Sequence, residues 1–348
     1  MAAPGDRAGG FGEFALIERL RRKLAASGGE RPDVVVGNGD DAAVVDAGGG
    51  KCWVLTCDVQ VQGVHFPAAG MSGISVGQKA LSVNASDVAA MGAAPLYALV
   101  SLGVRADTPV AFLEDVYEGV NARAGRWNVA VLGGNVTRTE GPLFIDIFMV
   151  GEVAREELLL RGGARAGDQI LVTGFIGDAA AGLYLAGHPE VRLRNEAHTA
   201  LTFALLRPIA RVEAGRAIAS LRRATSMIDV SDGLAGDLGH LCRASGVGAV
   251  IWEHELPVSP SALELASVIR KHRPEEWALY GGEDYQLLLT APVEAVPALQ
   301  KAAREAGGIP LTLIGEAVPA AQGIRLKRGE DLLPLEGSTW DHLRGEGE

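Results

Sequence analysis

A mixed α/β chain of two domains is what the sequence predicts, on three observations. Short runs rich in β-branched residues alternate with longer stretches of helical periodicity. The 348 residues amount to about two ordinary domains. An Arg-, Glu- and Gly-rich stretch at 154–168 separates two halves that each carry their own strands. The boundary is placed there, giving domains 1–153 and 154–348. With 48% hydrophobic and 22% charged residues the chain is globular and has material for buried cores.

The first element is expected at 11–27, an amphipathic helix with Phe14, Ile17, Leu20 and Leu24 on one stripe and Arg19, Arg21, Arg22 and Lys23 toward water. Gly28-Gly29 stops it. Apolar runs bounded by glycine predict strands at 33–36, 42–45 and 53–57, each ending near an acidic residue. A helix at 75–91 closes at Gly92, a strand follows at 96–104, then a helix at 110–124 and strands at 129–132 and 144–153. In the second half, strands start at Ile170 and Met227. Leu234, Leu238 and Leu241 at i, i+4 and i+7 give a helix over 235–245 a core-facing side. Strands are expected at 249–252, 285–290, 312–315 and 324–327, with a helix at 293–306.

Charge limits the partners. Lys and Arg number 32 against 43 Asp and Glu, a net charge of −11, which repels polyphosphate and anionic lipid. No nucleic acid or membrane partner is expected, and a phosphate ligand has to bring cations. The three cysteines, Cys52, Cys57 and Cys242, form no CxxC pair, which argues against a disulfide framework or zinc ribbon and for a reducing compartment. No apolar leader and no apolar run near ~18 residues occurs, so the expected location is cytoplasmic.

The informative signal is where acidic residues meet apolar runs. Asp40-Asp41 follows Gly37-Asn38-Gly39; Asp58 ends Val54-Leu55-Thr56-Cys57; Asp87 closes Asn84-Ala85-Ser86; Asp229 and Asp232 lie in Ile228-Asp229-Val230-Ser231-Asp232-Gly233. A carboxylate at the edge of an apolar layer is costly unless hydrogen-bonded or neutralised, and several converging ones need cations among them. Oxygen ligands suit magnesium, which shares its shell with waters and substrate phosphates. Any one of these aspartates alone also reads as a helix cap or turn residue, Asp232 before Gly233-Leu234 above all. Spacing by itself does not bring them together. No Gly-x-x-x-x-Gly-Lys-Ser/Thr loop and no His-Arg-Asp with Asp-Phe-Gly occurs, which excludes P-loop and protein-kinase machinery.

A longer ordered series carries a resemblance. It runs Phe11-Gly12-Glu13-Phe14, Gly37-Asn38-Gly39-Asp40-Asp41-Ala42, Asp58 with Gly63-Val64-His65-Phe66, then Lys79-Ala80-Leu81-Ser82-Val83-Asn84-Ala85-Ser86-Asp87. It continues through Gly133-Gly134-Asn135-Val136-Thr137-Arg138, Gly177-Asp178, Ile228-Asp229-Val230-Ser231-Asp232-Gly233-Leu234 and Gly281-Gly282-Glu283-Asp284-Tyr285. In this order it resembles the thiamine-monophosphate kinase family of the aminoimidazole ribonucleotide synthetase superfamily, over nearly the whole chain.

The resemblance implies an N-terminal α/β domain that binds ATP and magnesium and pairs through its sheet in a homodimer, followed by a C-terminal α/β domain. It implies transfer of the ATP γ-phosphoryl group to thiamine monophosphate. Asp41, Asp58, Asp87 and Asp229 would ligate several Mg2+ ions, with Thr56 and Cys57 near one and Asp232 holding another. Tyr117, Gly134, Asn135, Arg161 and Ser231 would meet ATP; His65, Glu283 and Trp340 would meet thiamine monophosphate. No general base is assigned.

Two positions depart from the pattern. Asn135 stands where the family commonly has Asp, which removes a negative ligand. Cys57 stands where it commonly has Thr; a thiol is a poor magnesium ligand, so Cys57 is read as a small buried residue contributing its carbonyl. Other members of the superfamily fit less well. Selenophosphate synthetase would need a reactive cysteine near the N-terminus, and a hydrogenase-maturation protein would end in cysteine where this sequence ends Gly345-Glu346-Gly347-Glu348. A nucleotide-binding sensor that has lost transfer, motivated by Asn135, is the alternative from another class.

Overall fold

The computed structural model describes residues 12–25, 31–67 and 70–335. The first half runs α1 (Glu13–Ala25), β1 (Val34–Val36), β2 (Ala43–Gly48), β3 (Lys51–Val61), α2 (Gly73–Ala90), β4 (Ala94–Val104), α3 (Val110–Trp127), β5 (Ala130–Arg138) and β6 (Phe144–Ala154). The second runs β7 (Gln169–Thr173), α4 (Asp178–Gly187), α5 (Asn195–Leu206), α6 (Val212–Ser220), β8 (Ser226–Val230), α7 (Leu234–Ser245) and β9 (Val247–Trp252). It closes with α8 (Pro260–Ile269), α9 (Pro274–Tyr280), β10 (Gln286–Ala291), α10 (Val296–Gly307), β11 (Leu311–Pro319), β12 (Ile324–Arg328) and β13 (Asp331–Pro334).

Two mixed sheets result. One has six strands in the order β1-β2-β3-β6-β4-β5, the other seven in the order β13-β12-β9-β11-β7-β10-β8. Among the described strands, β4 with β5 and β12 with β9 pair in parallel and the other pairs are antiparallel. The expected strands and helices of the first half are all present. β5 is the element that differs most, because the strand continues through Gly133-Gly134 to Arg138, held along its length by β4. In the second half α4, α5, α6, α8 and α9 had no counterpart in the sequence reading. Segments such as Ala179-Ala180-Ala181-Gly182 in α4 lack the large residues that mark a helical stripe.

Helix α2 is the piece both halves share, with most of its residues buried. Ser72 caps its start, its hydroxyl accepting the Ser75 N–H at 3.2 Å. On one side α3 lies so close that a Cβ at Gly77 would come within 1.9 Å of the Val116 carbonyl oxygen; only glycine permits that approach. A single apolar cluster joins Val76, Ala80, Val88 and Met91 to Ile145, Ile147 and Met149 of the first sheet and to Ile218, Met227, Leu287 and Leu289 of the second half. Leu288 and Ile228, of opposite parity, face a second cluster with Leu234 and Leu238 of α7.

The stripe expected to bury α1 does not do so among the described side chains: Ile17 and Leu20 are about half exposed. Cys57 is also corrected. It is exposed, whereas its neighbours Thr56 and Asp58 are buried or half-buried, because alternate residues of β3 face opposite sides of the sheet.

Candidate active site

Strand β3 and helix α2 build the centre of the site. Thr56 and Asp58 face α2, where the Thr56 hydroxyl donates to Asp87 Oδ2 at 2.5 Å. Asn84 Oδ1 accepts the Asp58 N–H at 2.9 Å, and Asn84 Nδ2 donates to the Asp58 carbonyl at 3.3 Å. Asn84 and Asp87, three apart, therefore present one side of α2 to the strand. Lys79 and Ser86, seven apart, present another to the C-terminal half: the Ser86 hydroxyl donates to Asp229 Oδ2 of β8 at 2.5 Å. In this way Asp58, Asp87 and Asp229, far apart in sequence, face one another.

Asp41 joins them from the turn before β2. Arg161 donates to its Oδ1 through Nε at 2.9 Å and through Nη2 at 2.5 Å, while the buried Oδ2 accepts no hydrogen bond. The backbone N–H of Arg161 also reaches both oxygens of Asp40 at 3.2 Å. Burial pushes Asp41 well above the usual carboxylate range; Arg161 opposes this and Asp229 adds to it. For Asp87 burial again leads, followed by repulsion from Asp58, Asp229 and Asp41. Asp229 is raised by burial against the pull of Ser86 and Arg161. Asp232 is pushed up to about 6, first by burial, then by Glu13 and Asp229. Burial works against the Arg161 charge, yet Asp41 outweighs it and holds the guanidinium above its ordinary value.

These carboxylates fit magnesium by their chemistry: all are hard oxygen donors, mutually repelling, and one buried oxygen lacks any donor. Among the described residues no three acidic, His or Cys side chains close on one point as a finished metal cage. A cation shared with substrate phosphates suits such an open set.

A second part of the site lies at the edge strand. An open cleft of about 460 Å3 between α3 and β5 is lined by Tyr117, Asn121 and residues 131–136, and so gathers the predicted Tyr117, Gly134 and Asn135. Sheet register links it to the carboxylates. Asp58 pairs with Ile147, Ile147 with Val100, and Val100 with Gly134, one row on one face. Three strand spacings of about 4.8 Å put Gly134 about 14 Å from Asp58. Asn135 falls one residue off that row, opposite Ser101.

Two of the residues expected on the acceptor side, His65 and Glu283, also meet, through Lys79. His65 Nδ1 accepts the Val61 N–H at 3.0 Å, and the His65 carbonyl accepts from Lys79 Nζ at 2.8 Å. Lys79 Nζ also pairs with Glu283 Oε1 at 2.6 Å. Ser231 lies on the turn after β8, where the N–H groups of Ser231 and Asp232 both donate to Asp237 Oδ2 at 3.1 Å. Trp340 lies outside the described residues. Sequence reasoning missed Lys79, Asp237 and Glu13 as parts of the site. Lys79 and Glu13 stood inside quoted motifs, but nothing in a sequence says which carboxylate a buried lysine meets.

Family models for the AIR synthase related protein match residues 39–153 (N-terminal domain) and 165–327 (C-terminal domain). The thiamine-monophosphate kinase of Aquifex aeolicus is 39% identical over 290 residues, 82% of this chain and 87% of that one. The Escherichia coli K12 enzyme is 35% identical over 333 residues, 95% and 98% of the two chains. A solved structure of AaThiL complexed with AMPPCP and TMP covers 98% of this chain and 100% of that one at 34% identity, with a TM-score of 0.81. The hydrogenase maturation protein HypE of E. coli, at 21% identity and a TM-score of 0.68, shares the fold. With similarity of this strength along nearly its whole length, the chain belongs to the thiamine-monophosphate kinase family.

Proposed function

We propose that the protein transfers the γ-phosphoryl group of ATP to thiamine monophosphate, releasing thiamine diphosphate and ADP. The observation that carries this reading is the register row from Asp58 to Gly134: a nucleotide-sized cleft and a nest of carboxylates lie along one sheet about 14 Å apart, a span for ribose and triphosphate together. The AaThiL structure with AMPPCP and TMP, similar over almost all of this chain, supports it.

The chemistry asks little of a base. The second pKa of a phosphate monoester is about 6, so at pH 7 the acceptor is mostly a dianion and is already nucleophilic. Repulsion is the obstacle, since two unit charges about 4 Å apart oppose approach by about 4 kcal/mol at an effective dielectric of 20. Several Mg2+ ions held by Asp41, Asp58, Asp87, Asp229 and Asp232, with Thr56 and the Cys57 carbonyl nearby, would neutralise and align the two phosphate chains; Asn135, in the cleft beside Gly134, lies too far off to share them. Tyr117 would stack on the adenine, Gly134, Asn135 and Ser231 would hold the nucleotide, and Arg161 would meet its phosphates once Asp41 shares its charge with a cation. His65, Glu283 and Trp340 would orient thiamine monophosphate.

The first half would be the ATP, metal and dimerisation domain, 1–153, and 154–348 the second. A homodimer through the first sheet is supported by its outer face, where Tyr97, Leu99, Phe148 and Val59 are exposed together. A cytoplasmic location accords with the reading. Among the described residues no helix is long and apolar enough to cross a membrane.

The test is product analysis. Purified protein with ATP, MgCl2 and thiamine monophosphate should form thiamine diphosphate and ADP in equal amounts by chromatography. ADP and inorganic phosphate without thiamine diphosphate would reject the reading.

A further inference from the structure

We propose that Lys79 is a positioning residue for the acceptor half of the site. Its buried ammonium ties the His65 carbonyl to the Glu283 carboxylate, and so fixes together two groups contributed by opposite halves of the chain. This rests on the reading above, in which His65 and Glu283 face thiamine monophosphate.

Only 2% of the Lys79 side chain is accessible, against 29% for Glu283. An ammonium so buried is tolerated only when its donors are met, and here they are met at 2.8 Å by His65 and 2.6 Å by Glu283. Glu283 is thus held through one oxygen by a group that does not reach solvent, while part of its own side chain stays accessible to a second partner. Lys79 projects from α2, most of whose residues are buried, and acts as a fixed point rather than a flexible surface charge.

The loop that carries Glu283 points the same way. Glu283 and Tyr285 have φ of 69° and 49°, the left-handed region that side-chain-bearing residues rarely adopt. Two glycines, Gly281 and Gly282, precede them, yet the strained position holds glutamate. The surrounding bonds enforce this shape. The Glu283 N–H donates to the Ser231 carbonyl at 2.6 Å, the Tyr285 N–H to the Val230 carbonyl at 2.8 Å, and Asp284 accepts the Gly177 and Ala179 N–H groups. The C-terminal half therefore aims the Glu283 backbone, and Lys79 of the N-terminal half aims its carboxylate.

The experiment is a double-mutant cycle of Lys79→Met and Glu283→Gln, with KM measured separately for thiamine monophosphate and ATP and folding followed by thermal melting. Each single variant should raise KM for thiamine monophosphate at least about tenfold and leave KM for ATP within about twofold. The double variant should be no more than about twofold worse than the worse single, because both remove one shared contact. If Glu283→Gln raises KM and Lys79→Met does not, or if the two effects multiply, or if both KM values rise equally, Lys79 is a structural ion-pair partner only and the proposal falls. If Glu283→Gln itself leaves KM for thiamine monophosphate unchanged, the acceptor-side assignment is what fails. Lys79→Gln, which keeps a donor for His65, replaces Lys79→Met should the latter not fold, with the same outcomes deciding.

Discussion

Each face of the six-stranded sheet carries an exception to the usual rule of apolar side chains inside and polar ones outside, although the inner face is otherwise apolar. Its inner face, packed on α2, carries Asp58 and Thr56 against Asp87, so charge is buried; its outer face shows Tyr97, Leu99, Phe148 and Val59 to solvent, so apolar surface is exposed. The same strands supply both, because side chains alternate: Asp58 looks in, and Cys57 and Val59 look out. Each exception is costly for an isolated chain, and each marks a missing partner: cations with phosphates inside, a second copy outside.

The comparison breaks most sharply on the inner face. Asp58→Asn and Asp229→Asn should each lower kcat about a thousandfold, about 4 kcal/mol of transition-state stabilisation, while thermal midpoints without magnesium stay level or rise as mutual repulsion is relieved. Wild-type rates at saturating magnesium in both variants would refute the carboxylate assignment. On the outer face, Leu99→Asp with Phe148→Asp should weaken self-association at least about a hundredfold, about 3 kcal/mol, as read by sedimentation, with little change in monomer folding because both side chains are already exposed. A dimer that survives would move the interface elsewhere. At the edge where the faces meet, Tyr117→Ala should raise KM for ATP about tenfold and leave KM for thiamine monophosphate unchanged.

The mildest test takes a buried carboxylate away from that sheet. Burial pushes Asp284 up to about 8, against the Gly177 and Ala179 N–H groups that favour its charge. The folded chain therefore holds a proton that the unfolded chain has released. Its contribution to stability is complete below about pH 4 and is lost as pH rises through 8. Asp284→Asn should flatten the fall in melting temperature between pH 5 and 8, and an unchanged slope would show that Asp284 is already ionised when folded.

Much of this was legible in the sequence where signals are local. Asp58 and Asp229 announce themselves as charges set in apolar strands, and parity alone separates Cys57 from Thr56 and Asp58; applying it would have put the cysteine outside. What was not legible is tertiary. The pairing of Arg161 with Asp41, of Ser86 with Asp229 and of Lys79 with Glu283 joins residues more than a hundred positions apart. The strand expected at 129–132 stops short of the Gly133-Gly134 pair, yet pairing with β4 carries it on to Arg138. Helix α4 buries mostly small residues with no clear stripe, whereas Ala197, Leu201 and Leu205 of α5 and Val212, Gly215, Ile218 and Ala219 of α6 form stripes that were legible and went unread.

The close packing of α2 between the halves has one more consequence. A helix locked against α3 through Gly77 on one side, and hydrogen-bonded to β8 through Ser86 on the other, leaves no plane along which two lobes could swing apart like jaws. Access for substrates and departure of products then fall to the loops at the rim.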